Sequence, residues 1–216
     1  MSETPQLFDR LPPEERTALR AAARRRRFAK GDTIFFEGDL GDSLHVIEKG
    51  HVAIRTSTPR GDIATLVVLV PGDSFGEQAL LDSESRRTAA AVCLDAVETL
   101  SIGRRDFEHL RSRLPLVDRF LVEVLAAQVR RLSAMVLESL HLDADTRVFR
   151  RLASLAATYA SADIVVTQED LASMAGTTRP TVNKALRGAE DMGIIELARG
   201  RIRVLDEAAL RKRARL

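Results

Sequence analysis

Between residues 31 and 73 the chain repeats one punctuation mark, a glycine followed by an aspartate: Gly31-Asp32, Gly38-Asp39, Gly41-Asp42, Gly61-Asp62 and Gly72-Asp73, with Gly50 in the same series. Short apolar runs fill the intervals: TIFFE, LHVIEKG, VAIRT and ATLVVLV. Glycine admits the positive φ of tight turns and aspartate accepts from nearby backbone N–H groups, so each mark stops a run before it can become a helix. Strands spaced about eight to twelve residues apart predict an all-β sandwich or barrel here. AAAVCLDAVETLSIGR adds two more strands before Arg105.

On either side of this region the pattern is helical. PPEERTALRAAAR, residues 12–24, opens with prolines and acids and closes with basic residues, the polarity that suits a helix dipole. From Asp106 the apolar residues fall at three- and four-residue steps: Phe107, Leu110, Leu114, Val117, Phe120, Leu121, Val124, Val129, Leu132 and Val136. They predict one long amphipathic helix over residues 115–140, restarting after Pro115. A long helix with a continuous apolar stripe pairs with something, and a two-fold homodimer is the commonest solution. LHLDAD then breaks the helix, with Asp145 as cap of another over 146–160.

Residues 167–186, TQEDLASMAGTTRPTVNKAL, carry a second motif. Thr167 with Asp170 three positions on makes a capping-box-like helix start. Gly176 suits a tight turn, and Thr178 caps a second helix whose first turn holds Arg179 and Pro180. Val182, Leu186 and Ala189 face the first helix, which leaves Arg179, Thr181, Asn183, Lys184 and Arg187 turned outward. GIIELARGRIRVLD follows as two short strands around Arg199-Gly200. Helix–turn–helix followed by a wing predicts binding to double-stranded DNA, with Arg179 placed to fork onto guanine and Lys184, Arg187 and the wing arginines, Arg199 among them, on phosphates.

Charge agrees with this division. The 216 residues carry a net charge of +2, but from His141 onward 13 Lys and Arg face 10 Asp and Glu, a local +3. A single cysteine, Cys93, leaves no intramolecular disulfide, cysteine-ligated zinc or iron–sulfur cluster to expect. The N-terminal residues lack the layout of a secretory signal and no apolar run is long enough to span a membrane, so a cytoplasmic protein is expected.

Residues 75–92 read FGEQALLDSESRRTAAAV, with Glu77, Arg87 and Thr88 set into an otherwise apolar context. Either these are charges on a loop or an internal ion pair, or they meet around something small and anionic. An arginine and a hydroxyl form charge-assisted hydrogen bonds to a phosphate, and Gly76 lets backbone approach closely. A β-roll, a long helix and a winged helix in that order, with Gly76-Glu77 and Arg87-Thr88-Ala89 at this separation, resemble the CRP/FNR family of bacterial transcription regulators from about Phe8 to Asp206. The resemblance implies an α+β protein. Its parts would be a cyclic-nucleotide-binding β-roll (jelly roll) over 1–114, a dimerisation helix and hinge over 115–142, and a winged helix–turn–helix over 143–216. It also implies a cyclic nucleotide effector, cAMP first, with Gly76, Glu77, Arg87, Thr88 and Ala89 around the phosphate and ribose. The partners implied are a pseudo-palindromic operator, a second copy of the chain, and RNA polymerase if the protein activates.

Two positions depart from the cAMP-responsive pattern. The hydroxyl-type pair that meets adenine falls on Met135 and Val136 counting from Arg130-Arg131, or on Leu132 and Ser133 counting back from Asp143. Pro180 stands where a glutamate would accept from cytosine N4, which implies a half-site relaxed or altered at that base pair. Alternatives within the family are a sensor of haem or another nucleotide, or a ligand-independent regulator. Outside it, metal-dependent cupin-like enzymes also use β-rolls, but they need an H-x-H pair, and here His45 and His51 lie six apart around Glu48. Neither a catalytic residue nor a metal site is expected.

Overall fold

The computed structural model describes residues 13–57, 61–80, 85–113, 116–159 and 163–216. They form two compact units, Glu3–Ser57 with Val68–Arg131, and Thr58–Val67 with Leu132–Leu216. The α+β fold read from the sequence is the one adopted.

α1 (Pro13–Ala22) opens the described residues, and two four-stranded sheets follow, the second drawing most of its edge strand from Thr58–Val67. One sheet runs β1 (Arg24–Phe28), β8 (Val97–Gly103), β3 (Ser43–Lys49) and β6 (Ser74–Phe75). The other runs β2 (Thr33–Phe35), β7 (Ala90–Cys93), β4 (Val52–Ser57) and β5 (Ile63–Leu69). Leu44, His45, Val46 and Ile47 of β3 are all buried, because both faces of that strand are covered. Leu44 and Val46 join Leu100, Ile102, Phe107, Leu110, Leu121 and Val124 in one cluster, which fastens α2 (Arg104–Arg113) and the start of α3 (Leu116–His141) to the roll. Strand β1 is the surprise: four consecutive arginines give no apolar alternation. It forms because its register against β8 brings Arg25 to Glu48, with Arg25 Nε 2.8 Å from the carboxylate, and Arg27 to Glu98 at 3.3 Å.

Helix α3 has a second apolar side. Val122, Val129, Leu132, Val136, Leu137 and Leu140 are all exposed in the protomer. Leu114 and Pro115, and the side chains of Val117 and Phe120, lie outside the described residues. Among the described residues, no helix is long and apolar enough to cross a membrane.

In the second unit the helix after the long one is α4 (Ala144–Thr158), and its cap is Asp143 rather than Asp145. Asp143 is extended and accepts from Thr146 N at 2.8 Å, while Asp145 sits in the first turn, where a carboxylate favours the helix dipole without capping it. Then come β9 (Asp163–Ile164), α5 (Gln168–Ala175), α6 (Arg179–Asp191), β10 (Ile195–Ala198), β11 (Arg201–Val204) and α7 (Glu207–Arg213). Strand β9 extends the two-stranded wing to a sheet of three. Asp170 is buried in this unit, its carboxylate accepting from Thr65 Oγ1 at 2.6 Å and Thr167 Oγ1 at 2.7 Å.

Candidate functional site

Arg87 is buried although it carries a charge, and every contact it makes is specific. Its main chain is clamped to the Gly38 turn, with Gly38 N donating to Arg87 O and Arg87 N donating to Asp39 O, each at 2.8 Å. Its Nη1 donates to the carbonyls of Ser43 at 2.8 Å and Gly76 at 3.0 Å. Its Nη2 reaches Ser43 Oγ at 3.1 Å and Asp42 Oδ1 at 3.4 Å. The guanidinium carbon lies 4.0 Å from the centroid of the Phe35 ring. Its Nε is buried and hydrogen-bonds to no other described residue. Burial pulls the Arg87 pKa below the ordinary arginine value, with Asp42, Glu77 and Asp39 opposing the shift. An arginine nonetheless stays cationic near neutrality.

Gly76 has a narrower task than letting a ligand approach. A Cβ there would stand 2.5 Å from Arg87 Nη1 and 2.9 Å from the Ser43 carbonyl, and its φ is +80°. Only glycine lets the guanidinium lie against this backbone. The same contact sets Arg87 beside Glu77, which follows Gly76 and opens a short 3-10 helix (Glu77–Leu80). These two do not form the internal ion pair that the sequence leaves open. Arg87 pairs with Asp42, and the buried Glu77 carboxylate accepts instead from Gln128 Nε2 on α3 at 2.7 Å.

Behind the guanidinium lie three rings. His45 stacks on Phe75 with centroids 5.2 Å apart, and Phe35 stands 5.7 Å from Phe75. His45 Nδ1 lies 3.1 Å from Thr99 Oγ1, and Nε2 lies 3.4 Å from the same Ser43 Oγ that meets Arg87. Burial first, and the nearby Arg87 second, push its pKa down to about 3. His51 is held elsewhere, with Nδ1 2.6 Å from Asp95 Oδ2.

Gly76, Glu77 and Arg87 are therefore brought together within one unit. Ala89 is buried and Thr88 is exposed. Ser133 is an exposed residue of α3 that belongs to the other unit. Residues 81–84 of the same segment lie outside the described residues. Sequence reasoning passes over Asp42, Ser43, Phe35 and Gln128. Gln128 does leave a trace, as a polar residue continuing the buried stripe of Leu121 and Val124. A cation in a low-dielectric recess with an unused donor, next to a carboxylate that accepts, is suited to an anion bearing a hydroxyl group.

In the second unit, Thr167 caps α5, accepting from Asp170 N at 3.0 Å, and Gly176 ends it in the left-handed region at φ 60°. Thr178 caps α6, whose buried residues are Val182, Ala185, Leu186 and Ala189. That face fixes the opposite one: Arg179, Asn183, Lys184 and Arg187 are exposed and Thr181 is half-buried. Arg199 is exposed at the wing turn. Arg187 is already engaged with Glu190 at 3.1 Å and Arg203 with Asp163 at 2.7 Å. Arg203 is thus a strut between wing strands, not an open phosphate contact, and Arg201 joins it 3.6 Å from Asp163.

Residues 25–113 match the cyclic nucleotide-binding domain family, and residues 146–213 match the Crp-like helix-turn-helix domain family. The chain is 35% identical over 205 residues to the cyclic AMP receptor protein of Thermus thermophilus, covering 94% of each. It is 30% identical over 216 residues to the CRP-like cAMP-activated global transcriptional regulator of Mycobacterium tuberculosis, covering 97% of this chain and 96% of the relative. Among solved structures it resembles a CRP-family transcriptional regulator from Thermus thermophilus, with a TM-score of 0.75 and 29% identity over 88% of this chain and 97% of the other.

Proposed function

This chain belongs to the CRP/FNR family of transcription regulators, and we propose that it is a homodimer whose DNA binding is controlled by cAMP held around Arg87. It is a cyclic nucleotide-binding, DNA-binding regulator and not an enzyme. The observation that carries the effector reading is the buried Arg87 with its unused Nε beside the Glu77 carboxylate. In this reading Arg87 meets the cyclic phosphate, Glu77 accepts from the ribose 2′-hydroxyl, and Thr88 adds a hydroxyl at the rim. The relatives named as cAMP-responsive support that choice of nucleotide.

The exposed row on α3 supports the dimer. Val122, Val129 and Val136 recur every seven residues, with Leu132 between the last two, the spacing of a two-helix seam. Residues 1–114 then serve as sensor, 115–142 as dimer helix and hinge, and 143–216 as reader. Two α6 helices enter successive major grooves of a pseudo-palindrome, Arg179 reads a base edge, and Lys184, Asn183, Thr178, Thr181, Arg187 and Arg199 steady the backbone. Ligand contacts to α3 favour one hinge arrangement near Asp143 over another, the differential binding that a switch requires. Acting in the cytoplasm, the dimer would recruit RNA polymerase from an upstream site or exclude it from an overlapping one.

Calorimetric titration with cAMP, with cGMP as competitor, tests this reading. Saturable cAMP binding that disappears in Arg87→Ala while the dimer persists is the expected result. Absence of cAMP heat in a protein that still binds duplex would overturn the effector, and a haem absorption band would name its replacement.

A further inference from the structure

We infer that Gln128 is a positioning residue for ribose recognition: it holds the Glu77 carboxylate where a 2′-hydroxyl meets it, so that preference for a ribonucleotide over its 2′-deoxy analogue depends on α3. The inference rests on the nucleotide reading of the Arg87 cradle. Glu77 is 4% exposed, and its Oε1 accepts from Gln128 Nε2 at 2.7 Å. Among the described residues no other hydrogen bond reaches this carboxylate. An ionised carboxylate has room for about four donors, and a buried one is costly until they are supplied. Gln128 supplies one, and the remaining capacity suits a ligand hydroxyl.

The placement of Gln128 makes it a rigid support. Leu121, Val124 and Gln128 follow the three- and four-residue steps of one helix face, and the first two are locked in the cluster with Leu44, Val46 and Phe107. Since a carboxylate only accepts, the Gln128 amide must turn its NH2 toward Glu77, which fixes its orientation. Without that donor the Glu77 side chain is free to choose other rotamers, and the incoming hydroxyl has to order it. The phosphate end is independent, because Arg87 draws its hydrogen bonds from Asp42, Ser43 and Gly76.

Titration of the full-length protein with cAMP and with 2′-deoxy-cAMP separates these roles. Wild type should prefer cAMP by about tenfold to a hundredfold, the size of one hydrogen bond to a charged acceptor. Gln128→Met keeps the length and removes the donor. It should bring the ratio to within about threefold by weakening cAMP alone, with 2′-deoxy-cAMP binding serving as the check that fold and phosphate contact survive. Glu77→Gln should collapse the ratio similarly, and the double variant should lose nothing further, as expected for one coupled unit. Equal weakening of both ligands in Gln128→Met would assign it a general packing role and overturn the inference, as would an unchanged ratio. Wild type that binds both ligands equally would remove the ribose contact itself, and wild type that binds neither would remove the nucleotide reading first.

Discussion

Arg87 lies over the face of Phe35, its guanidinium carbon 4.0 Å from the ring centroid, while its Nη groups are held by Ser43 and Gly76. The ring stabilises the cation at one face and excludes water there, and the buried Nε has no hydrogen-bond partner among the described residues. A cation–π contact of this kind contributes about 0.5–2 kcal/mol, depending on desolvation. Phe35→Leu should therefore weaken cAMP binding by about two- to thirtyfold, with little change in circular dichroism. Unchanged affinity would mean that the hydrogen bonds to Ser43 and Gly76 position Arg87 unaided.

In the proposed nucleotide site Asp42 would compete with the phosphate for Arg87. Its carboxylate lies 3.4 Å from Arg87 Nη2, and its side chain is 87% exposed, so this ion pair is loosely held and screened by salt. A phosphate at Arg87, as proposed, would meet that like charge. Asp42→Asn should tighten cAMP binding by about two- to fivefold at low salt, with the gain shrinking as ionic strength rises past the point where the Debye length is about 8 Å. Weaker binding in the variant would show instead that Asp42 orients the guanidinium.

His45 should give the first unit an acid sensitivity whose sign follows from its lowered pKa. Its folded pKa, about 3, lies below the value near 6.5 of an unfolded histidine. The unfolded chain takes up the proton first, so the stabilising contribution is complete above that unfolded value and is lost as pH falls toward 3. Between pH 7 and pH 5 the loss should be about 1–2 kcal/mol, read from urea midpoints. His45→Gln should remove most of that dependence. A wild type and variant that lose stability in parallel would place the acid sensitivity in other groups.

Local chemistry was legible in the sequence and tertiary chemistry was not. Thr167, Thr178 and Gly176 declare themselves as caps and turn because their roles involve neighbours three or four positions away. Asp143 and Asp145 are both plausible caps by that local rule, and the choice of Asp143 is reinforced by Arg215, whose Nη2 lies 3.1 Å from its carboxylate across 72 positions. β1 is invisible to periodicity because its arginines are held by Glu48 and Glu98 on other strands. The cradle divides in the same way. Glu77 and Arg87 stand out in one short segment, whereas Ser43, 44 positions from Arg87, and Gln128, 51 positions from Glu77, join them only when the roll closes.

In the DNA-binding role proposed for α6, its residues divide between reading and holding. Arg179 occupies the first turn of α6, exposed, where side chains reach base edges, and Lys184 is exposed on the same helix. Pro180 beside Arg179 offers no side-chain acceptor to cytosine N4, so selection from randomised duplexes should recover a half-site open at that base pair. Arg179→Ala should reduce affinity for the selected duplex by about 1–3 kcal/mol while sparing random duplex. Lys184→Ala should weaken both duplexes alike and lower the salt slope by about one ion. If Arg179→Ala cost both duplexes equally, the arginine would be a phosphate contact, and the base reading would have to come from Asn183 or Thr181 on the same face.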